Sequence, residues 1–379
     1  PMPIPLETAL IGEGSGAEIA PERLILLDQG EARVAFDNVT EPPLLSINRG
    51  FSAPVNLAVQ RRPGELEQLA LSDPDPFARF EAMQELMMRA LVGGASGSGG
   101  DWAPLVDAIG STLSSNALDP AFKAEAILPP GEALVADRME IIDPDAIHAA
   151  REALRRAIGR ALAEPLLAAH RSGEANGDDL SPKAKGVRRL RTVTLGLIAA
   201  GDPGEGAALA KAQFDRADNM TDRQGALGIL ASLDAPEREE ALDAFYERFH
   251  ADPLVLDKWF AIQAAAQRSD TVAAVERLTR HADFTFANPN RLRALAGTFG
   301  ANQLAFNDKS GGGYALLADM IIAADKLNPQ VAARLIPPFG RWRKFEAKRA
   351  AMMRVALERI VAVPSLSKDV YEQASKSLA

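Results

Sequence analysis

The hydrophobic pattern of this chain changes period once. Over residues 1 to 61 it is two: Ile4, Leu6, Thr8 and Leu10 alternate, then Ala32, Val34 and Phe36, then Val55, Leu57 and Val59. Such alternation marks half-buried strands. Turn-forming tracts separate the runs, at Gly12 to Gly16, Asp28-Gln29-Gly30 and Glu41-Pro42-Pro43. About five strands are predicted, whereas an immunoglobulin-like sandwich needs about seven. The expected domain over 1–61 is therefore a small, incomplete immunoglobulin-like β-sandwich, short of strands at its N-terminal side.

From Arg61 onward the period is helical. Asp75-Pro76, Asp119-Pro120, Asp143-Pro144, Ser181-Pro182, Asp202-Pro203, Asp252-Pro253, Asn288-Pro289 and Asn328-Pro329 each read as a helix start. The first residue can accept from orphan amides, and proline at the first helical position loses no hydrogen bond. Ile147, Leu154, Ile158 and Leu162 share one face of a long helix, which Pro165 is expected to kink. Phe80, Met83, Met87 and Leu91 form a stripe that reads as core rather than a binding surface. Between about 202 and 290 the starts recur at intervals of roughly 13 to 20 residues, the spacing of HEAT/armadillo-like helical hairpins stacked in an α-solenoid. No repeated sequence signature accompanies this spacing. The expected fold is mostly α, with a superhelical C-terminal domain over 62–379. The stretch Gly93 to Gly100 reads as a flexible loop.

Composition narrows the function. The 379 residues are 47% hydrophobic, and 42 Lys plus Arg against 51 Asp plus Glu leave a net charge of −9. That balance speaks against nucleic acid as a partner. No apolar run is long enough to span a bilayer, so a soluble, cytoplasmic protein without a membrane partner is expected. The absence of cysteine removes thiolate nucleophiles and zinc-thiolate sites. The chain begins at Pro1, directly in a strand-like segment, and reads as a piece of a longer polypeptide.

No catalytic centre assembles from the remaining candidates. His148, His170, His250 and His281 lack metal-site spacing. His148 with Glu152 at i, i+4 reads as a surface polar pair, and His250 with Asp252 and His281 with Asp283 are weak pairs at element ends. Gly12 to Gly16 opens no helix, and Lys309-Ser310 precedes its glycines, so neither tract is a phosphate loop. Arg341, Arg343, Lys344, Lys348 and Arg349, around Trp342 and Phe345, read as a helix with a charged outer face.

Two tracts stand out, Asn288 to Arg293 and Asn328 to Arg334. Each sets arginine within the first two turns of a helix, where the dipole disfavours positive charge. Side by side, they would form a receptor for a carboxylate or phosphate. The alternative is pairing with nearby Asp or Glu on a solvated surface. Arg291 and Arg293 lie roughly 200° apart around a helix, so one of the two is expected to face any such receptor.

Several further tracts carry a family resemblance. They are Arg49 to Val55, Ile142 to Ile147, Asp218 to Asp222, Leu256 to Phe260, Phe284-Thr285 with Asn288 to Arg293, Asn328 to Arg334, and Ala347-Lys348-Arg349. In this order the chain resembles the C-terminal part of the bacterial M1 (gluzincin) aminopeptidases. The resemblance covers nearly the whole sequence. It implies a β-sandwich followed by a helical domain that closes over the active site of a thermolysin-like catalytic domain lying upstream. The zinc motif HExxH, the GAMEN motif and the catalytic tyrosine belong to that upstream part and do not occur here. This chain is thus expected to bind no zinc and cleave nothing alone, its partners being the catalytic domain of the same polypeptide and peptide substrates. The positions matching the family's substrate-facing arginines are Arg293 and Arg334, with Asn288 and Asn290 shaping the helix mouth or simply capping it. The competing reading is an independent α-solenoid that binds other proteins on its concave face.

Overall fold

In the computed structural model the described residues are 2–99, 102–172, 177 and 179–379. They form a short antiparallel sheet followed by helices to the C-terminus. The strands are β1 (Ile4–Gly12), β2 (Glu18–Leu27) and β3 (Pro43–Ile47), in the order β2-β1-β3. Thr8 pairs with Arg23 on one side and Ile47 on the other. The central strand buries Ala9, Leu10 and Ile11. The β1–β2 turn closes with Gly12 N–H donating to Ala17 O at 2.8 Å, while the Glu41 carboxylate accepts from the Gly14 and Ser15 amides. Gly16 is left-handed there, with φ of 64°. The glycines of this tract make a turn.

Of about five predicted strands, three form; of the three alternating runs only the first becomes a strand, while β2 and β3 lie outside those runs. Residues 32–36 and 55–59 join no ladder among the described residues. Alternation records which face of a segment is wetted; a strand also needs a neighbouring edge. The Arg23 guanidinium, donating to Ala35 O at 3.0 Å, ties down the first of these segments instead. The predicted loop at Gly93 to Gly100 begins later than expected, because the helix Pro76–Ala95 runs through Gly93 and Gly94. Gly97 and Gly99 take positive φ beyond it. Gly100, like Pro1 at the start of the first predicted strand, lies outside the described residues.

All eight predicted starts begin helices, whereas the further pair Asp73-Pro74 lies between two helices and begins none. Asp75, Asp119, Asp202, Asp252, Asn288 and Asn328 each cap with the side chain, as do Asp143 Oδ1, accepting from Ala146 N, and Ser181 Oγ, accepting from Ala184 N. The helix Pro144–Ala161 breaks at Leu162 (φ −114°, ψ 27°) before Ala163–Arg171. Pro165 accounts for the break, since it has no N–H to offer Ala161 O.

The chain divides into two compact units. The first comprises Pro1–Pro130 and Ala153–Leu197. Met83, Met87, Leu91, Ile109, Leu154, Ile158 and Leu166 are fully buried in it, so the methionine stripe is core. His170 is buried and sits 3.2 Å from Arg191 O. The second unit comprises Gly131–Glu152 and Ile198–Ala379. Its helices Pro203–Arg216, Met220–Ser232, Glu237–Phe249 and Pro253–Ala264 pack as successive hairpins. Farther on, Phe306 meets Tyr314 and Phe339 edge-on at 5.1 and 5.2 Å.

Two expectations need correction here. His148 does not pair with Glu152 on the surface: its Nδ1 lies 2.7 Å from Glu132 Oε1 in a largely enclosed pair. Nor do the basic residues near 345 form one charged face. Arg349 is buried, donates to Asn307 O at 2.7 Å and pairs with Asp145, whereas Lys348 is exposed. The helix there starts at Ala347, capped by Glu346, which turns Arg349 inward.

Close helix packing at glycine gives a direct test. A methyl group at Gly206 would lie 2.3 Å from Ala199 Cα, whereas one at Gly228 meets nothing within 4 Å. Gly206→Ala is expected to destabilise by about 1–3 kcal/mol, and Gly228→Ala to stabilise by about 0.5–1 kcal/mol. Urea denaturation of the two variants measures both signs.

Candidate substrate-facing site

The site tract begins with a capped helix start. Asn288 Oδ1 accepts from the amides of Asn290 (3.0 Å) and Arg291 (3.2 Å), and Pro289 follows as first helical residue. The helix continues as Pro289–Leu292, a π-turn over Arg293–Gly297, and Thr298–Ala301, all with right-handed backbone angles at the junctions. π-turns are uncommon within helices and recur at functional sites.

The helical register sends the two arginines in opposite directions. Arg291 is buried: its Nε pairs with Asp257, its Nη1 donates to Asp283 O, and its guanidinium lies 5.0 Å from the Phe260 ring centroid. Tyr246 donates its hydroxyl to the Asp283 carboxylate, which lifts the phenol above its usual range. Tyr246 also packs against Trp259 and His281, at 5.1 and 5.3 Å between rings. His281 Nδ1 accepts from the Asp283 amide at 3.2 Å and lies 3.9 Å from its carboxylate, while His250 stacks on Tyr246. Arg291 therefore follows the ion-pairing alternative, in a buried form. Its partner is 34 residues away, so the local tract held no sign of it.

Arg293 is exposed. Its Nε donates to Pro289 O at 3.3 Å, and its Nη2 donates to Asn290 Oδ1. Asn290 thus steadies an outward guanidinium that keeps donors free. Asn288 is occupied as the cap.

Arg334 differs from the expectation in its place on the helix. The second tract forms only Pro329–Ala333, capped by Asn328 Oδ1 from Val331 N at 3.1 Å, and Arg334 stands at the C-cap. The cation therefore sits where a helix dipole favours it, because the helix ends after one turn. Its guanidinium is exposed and makes no hydrogen bond or ion pair among the described residues. The two tracts are neighbours. A methyl group at Gly297 would lie 4.0 Å from both Arg293 Cβ and Leu335 Cδ2, and one at Gly300 3.0 Å from Pro338 Cγ. The glycine face of the first helix thus receives the segment that follows the second. Among the described residues no group of three His, Cys, Asp or Glu could hold a metal ion.

Residues 63–379 match the family model described as a domain of unknown function (DUF3458_C), ARM repeats. The chain belongs to this family. Residues 1–60 match the companion model (DUF3458), described as an Ig-like fold. Among curated proteins, the chain is 42% identical to Aminopeptidase N of Caulobacter vibrioides, over 96% of this chain and 42% of that protein. It is 35% identical to Aminopeptidase N of Escherichia coli, over 93% of this chain and 41% of that protein. The chain thus spans about two fifths of the length of these relatives, and it resembles their C-terminal part. A solved structure of Legionella pneumophila aminopeptidase A, in complex with aspartic acid, superposes with a TM-score of 0.87 at 31% identity, covering 99% of this chain and 45% of that one. The mostly α fold with an ARM-repeat region and a small Ig-like sheet agrees with all of these.

The buried arginine should carry stability, the exposed one little. Asp257→Ala leaves Arg291 enclosed without its counter-charge and is expected to cost about 3–5 kcal/mol. Arg293→Ala should stay within about 0.5 kcal/mol of the parent. Denaturant midpoints of the two variants decide the contrast.

Proposed function

We propose that this chain is the non-catalytic C-terminal portion of a zinc-dependent M1 aminopeptidase, and that it helps to enclose and position the peptide substrate. The division of labour would fall near residue 61, with a partial sandwich over 1–61 and a helical domain over 62–379. Its partner is then the catalytic domain of the same polypeptide. That domain carries the zinc, which when bound supplies the activated water and polarises the scissile carbonyl. The likeness to aminopeptidases over nearly the whole chain supports this reading.

Within that frame Arg293 and Arg334 anchor the far end of a peptide whose amino terminus lies at the metal. The observation that carries this role is Arg334: an exposed guanidinium with no partner among the described residues, on a segment packed beside the helix of Arg293. A guanidinium offers paired donors in the geometry a carboxylate accepts. Asn290 holds Arg293 outward, and Asn288 fixes the turn that orients both. The contribution is enclosure and alignment: excluding water strengthens each charge contact, and holding the remote end reduces the freedom lost in reaching the reactive geometry.

Removing one such contact costs about 1.5–3 kcal/mol, roughly 10- to 150-fold. In the full-length enzyme, Arg334→Ala is therefore expected to raise KM for tri- and tetrapeptides by at least tenfold. Amino-acid arylamides, which do not reach so far, should change less than twofold. Equal effects on both substrate types would reject the anchoring role. The isolated chain should hydrolyse neither substrate with or without added zinc, and measurable turnover by it would reject the non-catalytic assignment.

A further inference from the structure

We propose that a cavity in the first unit, at the start of the first helix, binds a small monoanion: a carboxylate carried on an apolar body. The cavity has a volume of about 310 Å³, within reach of small-molecule sites. Arg61 is the group that calls for a ligand. Its side chain is half-buried, its Nη1 donates to Leu45 O at 2.5 Å, and no carboxylate lies within ion-pairing distance of it among the described residues. Burial pushes its pKa down, further than the nearby Glu65 and Asp73 carboxylates push it back up. An enclosed charge of this kind is costly until an anion joins it.

The surroundings specify the anion. Arg62 and Arg89 also line the cavity, but each is already balanced: Arg62 by Glu65 at 2.5 Å and Glu13 at 3.2 Å, Arg89 by Glu85 at 3.0 Å. They add donors without demanding a second negative charge. Glu67, on the same wall, makes a dianion unfavourable. Leu86 and Trp102 provide apolar surface for the body of the ligand. One guanidinium in need of a partner, a lone carboxylate and an apolar wall together select a monocarboxylate over phosphate. The site shares no residue with Arg293 or Arg334 and stands apart from the anchoring role.

Calorimetric titration of the whole protein with N-acetyl-L-phenylalanine tests it, with the corresponding amide, acetate and inorganic phosphate as comparisons. The acid is expected to bind saturably, with the other three at least tenfold weaker. Arg61→Gln should weaken the acid at least tenfold, Arg89→Gln severalfold, and Arg334→Ala not at all. If Arg61→Gln fails to fold by circular dichroism, Arg61→Lys and Leu86→Trp, which fills the cavity, take its place with the same expectation of weakened binding. Equal binding of the amide, phosphate as tight as the acid, no saturable binding, or binding lost in Arg334→Ala but kept in the Arg61 variants would each overturn the proposal.

Discussion

The helix start is the constraint on which the rest of this molecule depends. At each of the eight Asx-Pro and Ser-Pro starts, proline forbids a preceding helical turn and the residue before it accepts the orphan amides of the new helix. The position of each helix along the chain is thereby set to the residue. Rotation follows from position, since every later side chain is placed by steps of 100°. At Asn288 this has chemical consequences. The same cap that opens the helix turns Arg291 onto Asp257 and Phe260 and leaves Arg293 outside. A start displaced by two residues would bury the wrong guanidinium.

The arginines divide into two populations by what surrounds them. Arg223 donates to Phe214 O at 3.1 Å and lies over the Phe214 ring at 5.5 Å; Arg349 donates to Asn307 O and pairs with Asp145; Arg291 does the same with Asp283 O and Asp257. These buried cations end helices and brace turns by collecting carbonyl groups that helix geometry leaves unpaired. Arg334 collects nothing, and Arg293 keeps only contacts within its own turn. An exposed arginine without a structural task is where recognition chemistry has room.

Much of this was legible in the chain itself, because the signals were local. Capping residues and proline act within one turn, so every predicted start stands, and the break at Pro165 with them. The methionine stripe reads as core because period and burial agree. What sequence could not show is partnership at a distance. Residues 55–59 alternate as a strand does, yet join no ladder, since pairing depends on an edge elsewhere. Arg349 looked solvated until Asp145, 204 residues earlier, met it. At the candidate site the caps at Asn288 and Asn328 were readable. The stop after Ala333, which moves Arg334 to the helix end, and the π-turn at Arg293 were not. Both lie where the glycine face of the first helix meets Leu335 and Pro338, far along the chain from the tract that opens it.

The central claim is that this chain places guanidinium groups where the far end of a bound peptide lies. A crystal structure of the full-length protein with a non-hydrolysable tetrapeptide, its amino end at the metal, measures that placement directly. The account predicts the peptide carboxylate within about 3 Å of the Arg334 or Arg293 guanidinium, the charge-assisted hydrogen-bond distance. A peptide fully ordered with its carboxylate in solvent, and both guanidinium groups beyond contact, would contradict it.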